Sequence, residues 1–497
     1  MRRLLPPLLS FLGVLVAACG SDDEGSPPAP APEAQPDGRQ RAQADAIAEL
    51  ARLLAARSGW PLPVDVAAIE ARERDALLRG PGDDATFLGA AWRVLNDVPQ
   101  GHQNLFPEVE KVCSGGLPIQ NASRLGVCGR PGGGGVVATI ALPDNPLGLQ
   151  VGDTVVEVDG LAGDALLEAA YDRPVCGAVF PSASGRRFAG AASFFNTVPS
   201  GAVLTVRASD GSAREVTVPS EPTPFLIDCT DPFGRERLLV ADATTRPDGV
   251  AVIRLPSFIP FDEEIPEEPT EDELEEFISG YLADVLAVFD TVRDAPAIVW
   301  DVRGNGGGLV PVALAIVSGF PSARPTTVLY CRRRIPDSSP PVFEDRRFEY
   351  RVVPGGPFAY DGEVAVLTDG LTYSAGDYFA LATLRATDAL VVGAPSAAAW
   401  GGGEGTIVVR GPPAVSVTFD PIACFDVATD APLEGDPPEP ILVVDYEPSD
   451  LAAGRDTVLE RAVAALRRVT EARSPRRRRA SRRRSRRATC SRSSSAS

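Results

Sequence analysis

Two polar motifs, each directly after a short apolar run, place the strongest limits on how this chain of 497 residues can fold. The first, residues 301–308, reads Asp-Val-Arg-Gly-Asn-Gly-Gly-Gly and follows the run Ala297–Trp300. The second, residues 372–377, reads Thr-Tyr-Ser-Ala-Gly-Asp and follows Val364–Leu367. Such runs predict buried strands, and an open α/β sheet binds its ligands at the carboxyl ends of its strands. We therefore expect an α/β fold in which both motifs face one crevice.

The residue types in the two motifs are those of a serine hydrolase centre. Ser374 opens a predicted helix, which exposes its Oγ beside the N–H group of Ala375. Consecutive glycines let N–H groups turn towards a developing oxyanion without interference from a Cβ atom. The pattern predicts Ser374 as the nucleophile, with the N–H groups of Gly306 and Ala375 as the oxyanion hole.

At these residues the chain resembles the C-terminal processing (tail-specific) serine peptidases, whose core carries an Asp-x-Arg-Gly-Asn-Gly-Gly-Gly turn and a Thr-x-Ser-Ala-x-Glu motif. Val250–Phe258 resembles the strand before that core, and Arg455–Ala462 resembles its closing helix. The resemblance follows the family's order over roughly residues 85–470. It implies an α/β, crotonase-like peptidase core over residues 222–470, which cleaves peptide bonds of protein or peptide substrates without a cofactor.

The same resemblance implies supporting roles for three residues near the motifs. Arg303 and Asn305 are expected to hold the shape of the glycine turn rather than to touch substrate. Asp377 stands where the family usually has Glu, and we expect it to cap or brace the helix after the nucleophile.

Members of this family activate the serine with either a lysine or a histidine. In the lysine type a Gly-Lys pair follows a Gly-x-Pro-Thr stretch, but residues 393–399 have alanine at the lysine position and Lys111 is the sole lysine. The sole histidine, His102, lies in residues 96–105, which resemble the Asp-Gly-His-Thr segment of the tricorn-core and retinoid-binding-like branch, with Gln103 in place of the hydroxyl residue. In the tricorn-core type this histidine is the general base, because an imidazole can take the serine proton and return it.

A third group should orient the imidazole. The tricorn-like pattern places a glutamate late in the chain, before a Pro-Asp segment that Pro448–Asp450 resembles. The sequence does not choose among four candidate acids, namely Glu434, Glu439, Asp445 and, more weakly, Glu404.

Two alternatives to a general peptidase stay open. The first is a lipid-anchored scaffold with the same core and no activity, which binds a peptide or an apolar ligand, because the lysine is lost and the surroundings of His102 depart from the family pattern. The second is a peptidase restricted to very short peptides. The distance between Ser374 and His102 in the folded chain separates catalysis from the scaffold.

The chain before the core divides into two segments. Alanines and leucines at helical spacing predict a helical segment over residues 41–125. Residues 131–220 are β-rich and resemble a PDZ-like domain of the bacterial type, most clearly in the stretch Gly148–Asp153. The glycines of Gly132–Gly135 either capture a peptide carboxylate with backbone N–H groups or form a plain turn before a strand.

The first residues of the chain suggest export. Residues 1–19 have a basic start, an apolar stretch and the sequence Val-Ala-Ala-Cys, which resembles a bacterial lipoprotein signal with lipid on Cys19. Residues 20–40 would be a flexible tether and residues 474–497, rich in Arg and Ser, a disordered tail. We therefore expect a protein of the bacterial cell envelope, held in the outer membrane through Cys19.

The cysteines and the charge of the chain limit its disulfides and the metals and nucleic acids that it can bind. Six cysteines remain besides Cys19 and Cys490, and proximity in the sequence suggests only the pair Cys113 and Cys128, with free thiols as the alternative. Their spacing and the single histidine argue against a metal site. The net charge of −19 includes ten arginines in the tail, so the body is strongly acidic and should repel nucleic acid.

Overall fold

The computed structural model describes residues 35–107, 124–173, 177–220, 227, 229, 231–235, 238–260, 270–402, 405–440 and 442–469. The predicted signal segment with Cys19, Lys111, Cys113, Glu404 and the tail 474–497 lie outside these ranges, and their roles stay predictions. None of the helices within the described ranges is long and apolar enough to cross a membrane.

The helices of the described residues are, in chain order, α1 Gly38–Arg57, α2 Val66–Arg79, α3 Asp84–Asp97, α4 Gly163–Tyr171, α5 Ala183–Thr197, α6 Glu271–Asp290, α7 Val310–Ser318, α8 Ala375–Ala386, α9 Pro448–Ala452 and α10 over residues 457–469. The strands are β1 Asn104–Pro107, β2 Val127–Gly132, β3 Gly135–Ala141, β4 Thr154–Val158, β5 Leu161–Ala162, β6 Gly177–Ala178, β7 Val203–Arg207, β8 Ala213–Thr217, β9 Asp242–Thr245, β10 Ala251–Arg254, β11 Ala297–Asp301, β12 Thr326–Arg333, β13 Phe348–Val352, β14 Glu363–Thr368, β15 Leu390–Gly393, β16 Gly405–Val409, β17 Val415–Phe419, β18 Ile422–Phe425 and β19 Leu442–Val443.

The centre of the fold is a six-stranded sheet in the order β19-β15-β14-β11-β10-β9, parallel except for the pair β10 and β9. All five residues of β11 are buried, as expected for a parallel sheet covered on both faces. Successive residues point into different cores: Val299 packs in the cluster that contains α1, α3 and α10, and Trp300 in the cluster that contains α6, α7 and α8. The α/β fold predicted from the sequence is confirmed.

The register of β11 and β14 brings the two motifs together. The strands pair in parallel from Ala297 opposite Glu363 to Asp301 opposite Leu367. Their carboxyl ends therefore lie at the same edge of the sheet, and the turns that follow them leave it side by side.

A second sheet connects the N-terminal segment to this core. Its order is β16-β17-β1-β6, and in β1 Asn104 lies opposite Thr418 of β17. The inner face, with Leu105 and Val417, belongs to the same buried cluster as Leu50 of α1. Because β1 begins two residues after His102, this pairing fixes the segment that carries the sole histidine against the core.

In the segment 41–125, which is predicted to be helical, the described residues form α1, α2 and α3 and then the strand β1. Asp37, Asp65 and Asp83 are the N-cap residues of the three helices, and each accepts a backbone N–H with its side chain. The tether predicted for residues 20–40 is wrong at its end, because α1 already begins at Gly38. The reason is a capping box in which Asp37 and Gln40 bond each other's main chain.

The β-rich segment forms a sheet in the order β2-β3-β4-β7-β8, with β5 on β4, over a core of its own that includes Leu147 and Phe194. Gly132–Gly135 close the β2–β3 hairpin: Gly132 lies opposite Gly135, and Gly133 and Gly134 have φ values of 59° and 81°. This is the two-residue turn that needs a left-handed backbone, so the glycines have a structural reason. Peptide capture by them stays a prediction.

The disulfides differ from the pair suggested by sequence proximity. Cys128 of β2 bonds Cys229, and Cys331 of β12 bonds Cys424 of β18, which is its direct partner in the antiparallel register. The suggested pair of Cys113 and Cys128 is wrong, because Cys128 of β2 is bonded to Cys229, which follows 101 positions later. The first bond ties the β-rich sheet to the segment before the central sheet.

Replacement of both Cys331 and Cys424 by Ala should lower the free energy of unfolding, because the bond closes a loop of 93 residues. We expect a loss of about 3–5 kcal/mol from loop-closure entropy. Urea unfolding of the oxidised protein and of the double variant measures it. Peptide mapping without reductant checks the pairing, and a peptide that joins Cys331 or Cys424 to any other cysteine would contradict it.

Candidate active site

Ser374 lies at the junction of β14 and α8 in an unusual backbone conformation, with φ 54° and ψ −121°. A positive φ at a residue with a Cβ atom costs about 1–3 kcal/mol and persists only where the surroundings enforce it. Such a strand-to-helix turn lifts a side-chain oxygen away from the main chain. Accordingly, Ser374 is partly exposed between the buried residues Tyr373 and Ala375.

The glycines after β11 lie directly against this serine. Gly307 has φ +104°, and a Cβ atom added there would lie 2.5 Å from Cβ and 3.0 Å from Oγ of Ser374. At Gly308 an added Cβ would lie 2.6 Å from the carbonyl carbon of Phe258. Only glycine allows the turn to approach the nucleophile so closely.

Arg303 and Asn305 hold this turn, in agreement with the prediction. The buried guanidinium of Arg303 donates to Asp301 at 2.6 Å and to Asp456 at 2.7 Å. Burial raises the pKa of Asp301, but the Arg303 guanidinium more than offsets this and the pKa lies below its usual value. Asn305 donates to Leu255 O and accepts from Gly307 N, both at 2.8 Å.

The N–H groups predicted as oxyanion donors are available. Gly307 N–H is occupied by Asn305, whereas no bond joins the N–H of Gly306 or Ala375 to any group among the described residues. A Cβ atom added at Gly306 would meet nothing within 4 Å, so this side of the turn borders open space. The first N–H groups of a helix such as α8 have no intrahelical partner.

His102 meets Ser374 across the two parts of the fold. Its Nε2 lies 2.9 Å from Ser374 Oγ. The residue as a whole is partly buried, but Nδ1 is enclosed and has no hydrogen-bond partner among the described residues. Burial lowers the pKa of the imidazole to about 4, and the main chain of Trp400, which lies near without bonding Nδ1, opposes this only in part. The imidazole is therefore neutral at pH 7 and can accept a proton.

The backbone of His102 is also in the left-handed region, with φ 66°. Its N–H donates to the phenolic oxygen of Tyr373 at 2.5 Å, and its carbonyl accepts from Thr418 Oγ1 at 2.9 Å. The rings of His102 and Tyr373 meet edge to face with centroids 5.2 Å apart.

Of the three candidate third acids that the structure describes, Glu434 contacts the histidine segment. It is buried, and its carboxylate accepts from Gly101 N at 2.6 Å and from Trp400 N at 3.2 Å. It forms no bond to the imidazole. Glu439 is exposed, and Asp445 is exposed and lies 3.3 Å from Arg187.

Residues 398–402, which we call the amide strap, run past the histidine with every N–H bonded to a side chain. Asp377 accepts from Ala398 at 2.8 Å and Ala399 at 3.1 Å, and the other acceptors, in chain order, are Glu434, Tyr378 and Asp420. Asp377 thus braces the strap, and the backbone N–H of Ser374 at the start of α8 also stabilises its carboxylate, in line with the expected role of capping or bracing this helix. Burial raises its pKa to about 7.

Sequence reasoning found Ser374, His102 and the glycine turn, and the structure brings these together. It missed Tyr373, Tyr378 and Asp420. Tyr373 occupies the variable position of the nucleophile motif, where a polar aromatic residue is a usable signal. Tyr378 and Asp420 have no local signal, since their partners lie on distant segments. The predicted peptide-binding glycines Gly132–Gly135 are not part of this site, since Gly132 and Gly133 contact Tyr446 and Pro448. The predicted lipidation residue Cys19 lies outside the described residues.

Replacement of Gly307 by Ala should destabilise the protein by about 2–4 kcal/mol, because the new methyl group overlaps Ser374 and the backbone stays left-handed. Replacement of Gly306 by Ala is the matched control and should change stability by less than about 1 kcal/mol, since its Cβ enters open space. Urea unfolding measures both, and equal losses would contradict the contact.

His102 should titrate near pH 4 in the native protein, because burial lowers its pKa from 6.5. Since the unfolded imidazole takes its proton near pH 6.5, this group makes the native state less stable as the pH falls from 6.5 to 4. With a single histidine, NMR of the protein labelled in histidine shows one imidazole titration. A midpoint near 6.5 would overturn the enclosed position of the ring.

Comparison with known proteins concerns the segment that carries both motifs and the fold. The model of Peptidase family S41 matches residues 249–418, which contain both motifs. A structure of mature CPAF complexed with lactacystin has a TM-score of 0.61 at 16% identity, over 88% of this chain and 99% of that one. A second structure of mature CPAF has a TM-score of 0.57 at 14% identity, over 84% and 95%.

At these identities the two structures demonstrate a shared fold alone. The chain matches no curated protein. The family predicted from the motifs is confirmed by the match of the core segment. Residues 249–418 thus match the model of peptidase family S41, and this match of the segment with both motifs indicates a serine peptidase.

Proposed function

We propose that the protein is a serine endopeptidase of the bacterial cell envelope in which Ser374 is the nucleophile and His102 the general base. One observation carries the proposal: Nε2 of His102 lies 2.9 Å from Oγ of Ser374, within reach for direct proton transfer. The two residues are 272 positions apart in the sequence, so local chain geometry does not explain the contact.

The reaction is acyl transfer. Ser374 Oγ forms a bond to the peptide carbonyl carbon while its proton passes to His102 Nε2. The N–H groups of Gly306 and Ala375, which are free of other partners in the described structure, stabilise the negative charge on the carbonyl oxygen. His102 then protonates the leaving amine, and water attacks the acyl-enzyme by the same route in reverse.

A low imidazole pKa fits the base, because it keeps His102 neutral before the reaction. The same burial makes the imidazolium that forms during attack unfavourable, so a negative group should stabilise it. Glu434 takes this part through the peptide groups of Gly101 and Trp400, both of which it holds. Burial raises the pKa of Glu434 well above its usual value, which favours the neutral acid in the resting site, whereas the imidazolium that forms during attack favours its ionised form.

The remaining assignments rest on the resemblance seen in the sequence. The core takes the crotonase-like form, and the β-rich segment acts as a PDZ-like domain that presents protein or peptide substrates. Lipid at Cys19 holds the chain in the envelope, with an outer-membrane location that faces the periplasm or the cell surface. The two disulfides among the described residues support an oxidising compartment.

A binding scaffold without activity is the second candidate. One observation favours it: Nδ1 of His102 has no acceptor among the described residues, whereas working triads hold this atom by a hydrogen bond. In that case the crevice would hold a peptide without cleavage.

A fluorophosphonate probe should label the mature wild-type protein at Ser374. Ser374→Ala should abolish labelling, and His102→Ala should slow it by about 10²–10⁴-fold, the usual contribution of a general base. Gel fluorescence and peptide mass spectrometry measure the rate and the site. Correctly folded wild type that stays unlabelled, and cleaves no peptide of a diverse pool, would favour the scaffold.

Glu434→Gln tests the supporting acid, with Glu439→Gln as its matched control in the same segment. The amide of Gln can accept only one of the two N–H groups, so labelling should fall by about 10–100-fold in the first variant. The exposed Glu439 should be replaceable without effect. Equal rates in both variants would remove Glu434 from the mechanism.

A further inference from the structure

The base of the proposed dyad depends on an unfavourable backbone. His102 has φ 66°, a region that residues with a Cβ atom rarely adopt. A conformation of this kind persists only where neighbouring groups enforce it. The direction of the imidazole depends on this backbone, because the Cα–Cβ bond of a left-handed residue points in a different direction from that of a residue with negative φ.

Hydrogen bonds hold the His102 peptide units from two sides. Its carbonyl oxygen accepts from Thr418 Oγ1 at 2.9 Å and from Asn104 Nδ2 at 3.2 Å. Its N–H has one acceptor in the described structure, the phenolic oxygen of Tyr373 at 2.5 Å. Two side chains thus hold the carbonyl, whereas a single hydroxyl holds the N–H side.

That hydroxyl is itself fixed. Tyr373 is 8% exposed, its oxygen lies 3.3 Å from Val179 O, and its ring packs edge to face on Phe180 and on the imidazole. A phenol that donates to Val179 keeps its lone pairs for the N–H of His102. Burial raises the pKa of the phenol further, so it stays protonated and can make both bonds.

We infer that Tyr373 is a positioning residue that holds the left-handed turn of His102 so that Nε2 faces Ser374 Oγ. This inference rests on the proposed function, and it places the clamp for the base in the residue next to the nucleophile. Two consecutive residues then act on the dyad, because Tyr373 holds His102 and Ser374 is the nucleophile. This limits relative movement between two distant chain segments. Because a displacement of 1 Å can cost about a hundredfold in rate, such a clamp acts on reactivity.

The test compares Tyr373→Phe with Tyr360→Phe in the mature full-length protein. Tyr360 is 9% exposed, and its hydroxyl donates to Ala295 O at 2.6 Å, so its loss removes a similar buried bond. It lies before β14, at the opposite end of the strand from Ser374. The two readouts are the rate of fluorophosphonate labelling and the NMR signal of the single imidazole.

We expect Tyr373→Phe to slow labelling by about 10–100-fold and to change the chemical shifts and the pKa of His102, with the pKa moving towards 6.5 as the ring becomes less enclosed. Tyr360→Phe should leave labelling within about twofold of wild type, as substitutions away from a reactive site do, with an unchanged imidazole signal. A Tyr373→Phe protein that labels at the wild-type rate would overturn the inference, as would an equal loss in both variants.

Failure of the proposed function gives a different pattern. Wild type would then stay unlabelled, while the imidazole signal still reports on the clamp. A shift confined to Tyr373→Phe would support the positioning of His102 by Tyr373 in a protein without activity, and no shift in either variant would refute it.

Discussion

The parallel pairing of β11 with β14 is the constraint on which the site depends. It sets two turns side by side at one edge of the sheet, at a separation that strand spacing alone determines. At that separation Gly307 touches Ser374 so closely that no side chain fits between them. The exposed N–H groups and the strained serine follow from this contact, and the buried Arg303 with its two aspartates keeps the turn from relaxing.

Around this centre, buried carboxylates hold main-chain N–H groups in place of sheet partners. The amide strap has no backbone acceptor for its N–H groups, so Asp377, Glu434 and Asp420 supply them. Buried acids of this kind are unfavourable as charges, which is why the pKa of Asp377 rises to about 7. Its effect on stability opposes that of His102: a raised carboxyl pKa favours the native state at low pH and loses this effect as the pH rises towards 7. Burial thus disfavours the charged forms of both Asp377 and His102, and their contributions to the pH dependence of stability have opposite signs.

The sequence was informative where function needs particular residues in consecutive positions. The glycine turn and the serine before a helix could be recognised because their geometry is local, and the sole histidine left one choice of base. Contacts between distant segments could not be derived in this way. Cys128 pairs with Cys229 and not with a nearer cysteine, and Glu434 is distinguished from Glu439 only by burial. The role of Tyr373 depends on a chain segment 271 positions away. The turn at Gly132–Gly135 shows the converse, since a glycine run admits a hairpin as readily as a binding loop.

The separation of His102 from Ser374 along the chain has a consequence for synthesis. The histidine leaves the ribosome long before the serine, and β1 needs β17, which is made later still, before it can pair. A partly synthesised chain therefore contains some residues of the site but cannot bring them together. Contacts of such long range form late and slowly in folding. Topology therefore delays the contact of His102 Nε2 with Ser374 Oγ until β17 is made and paired with β1.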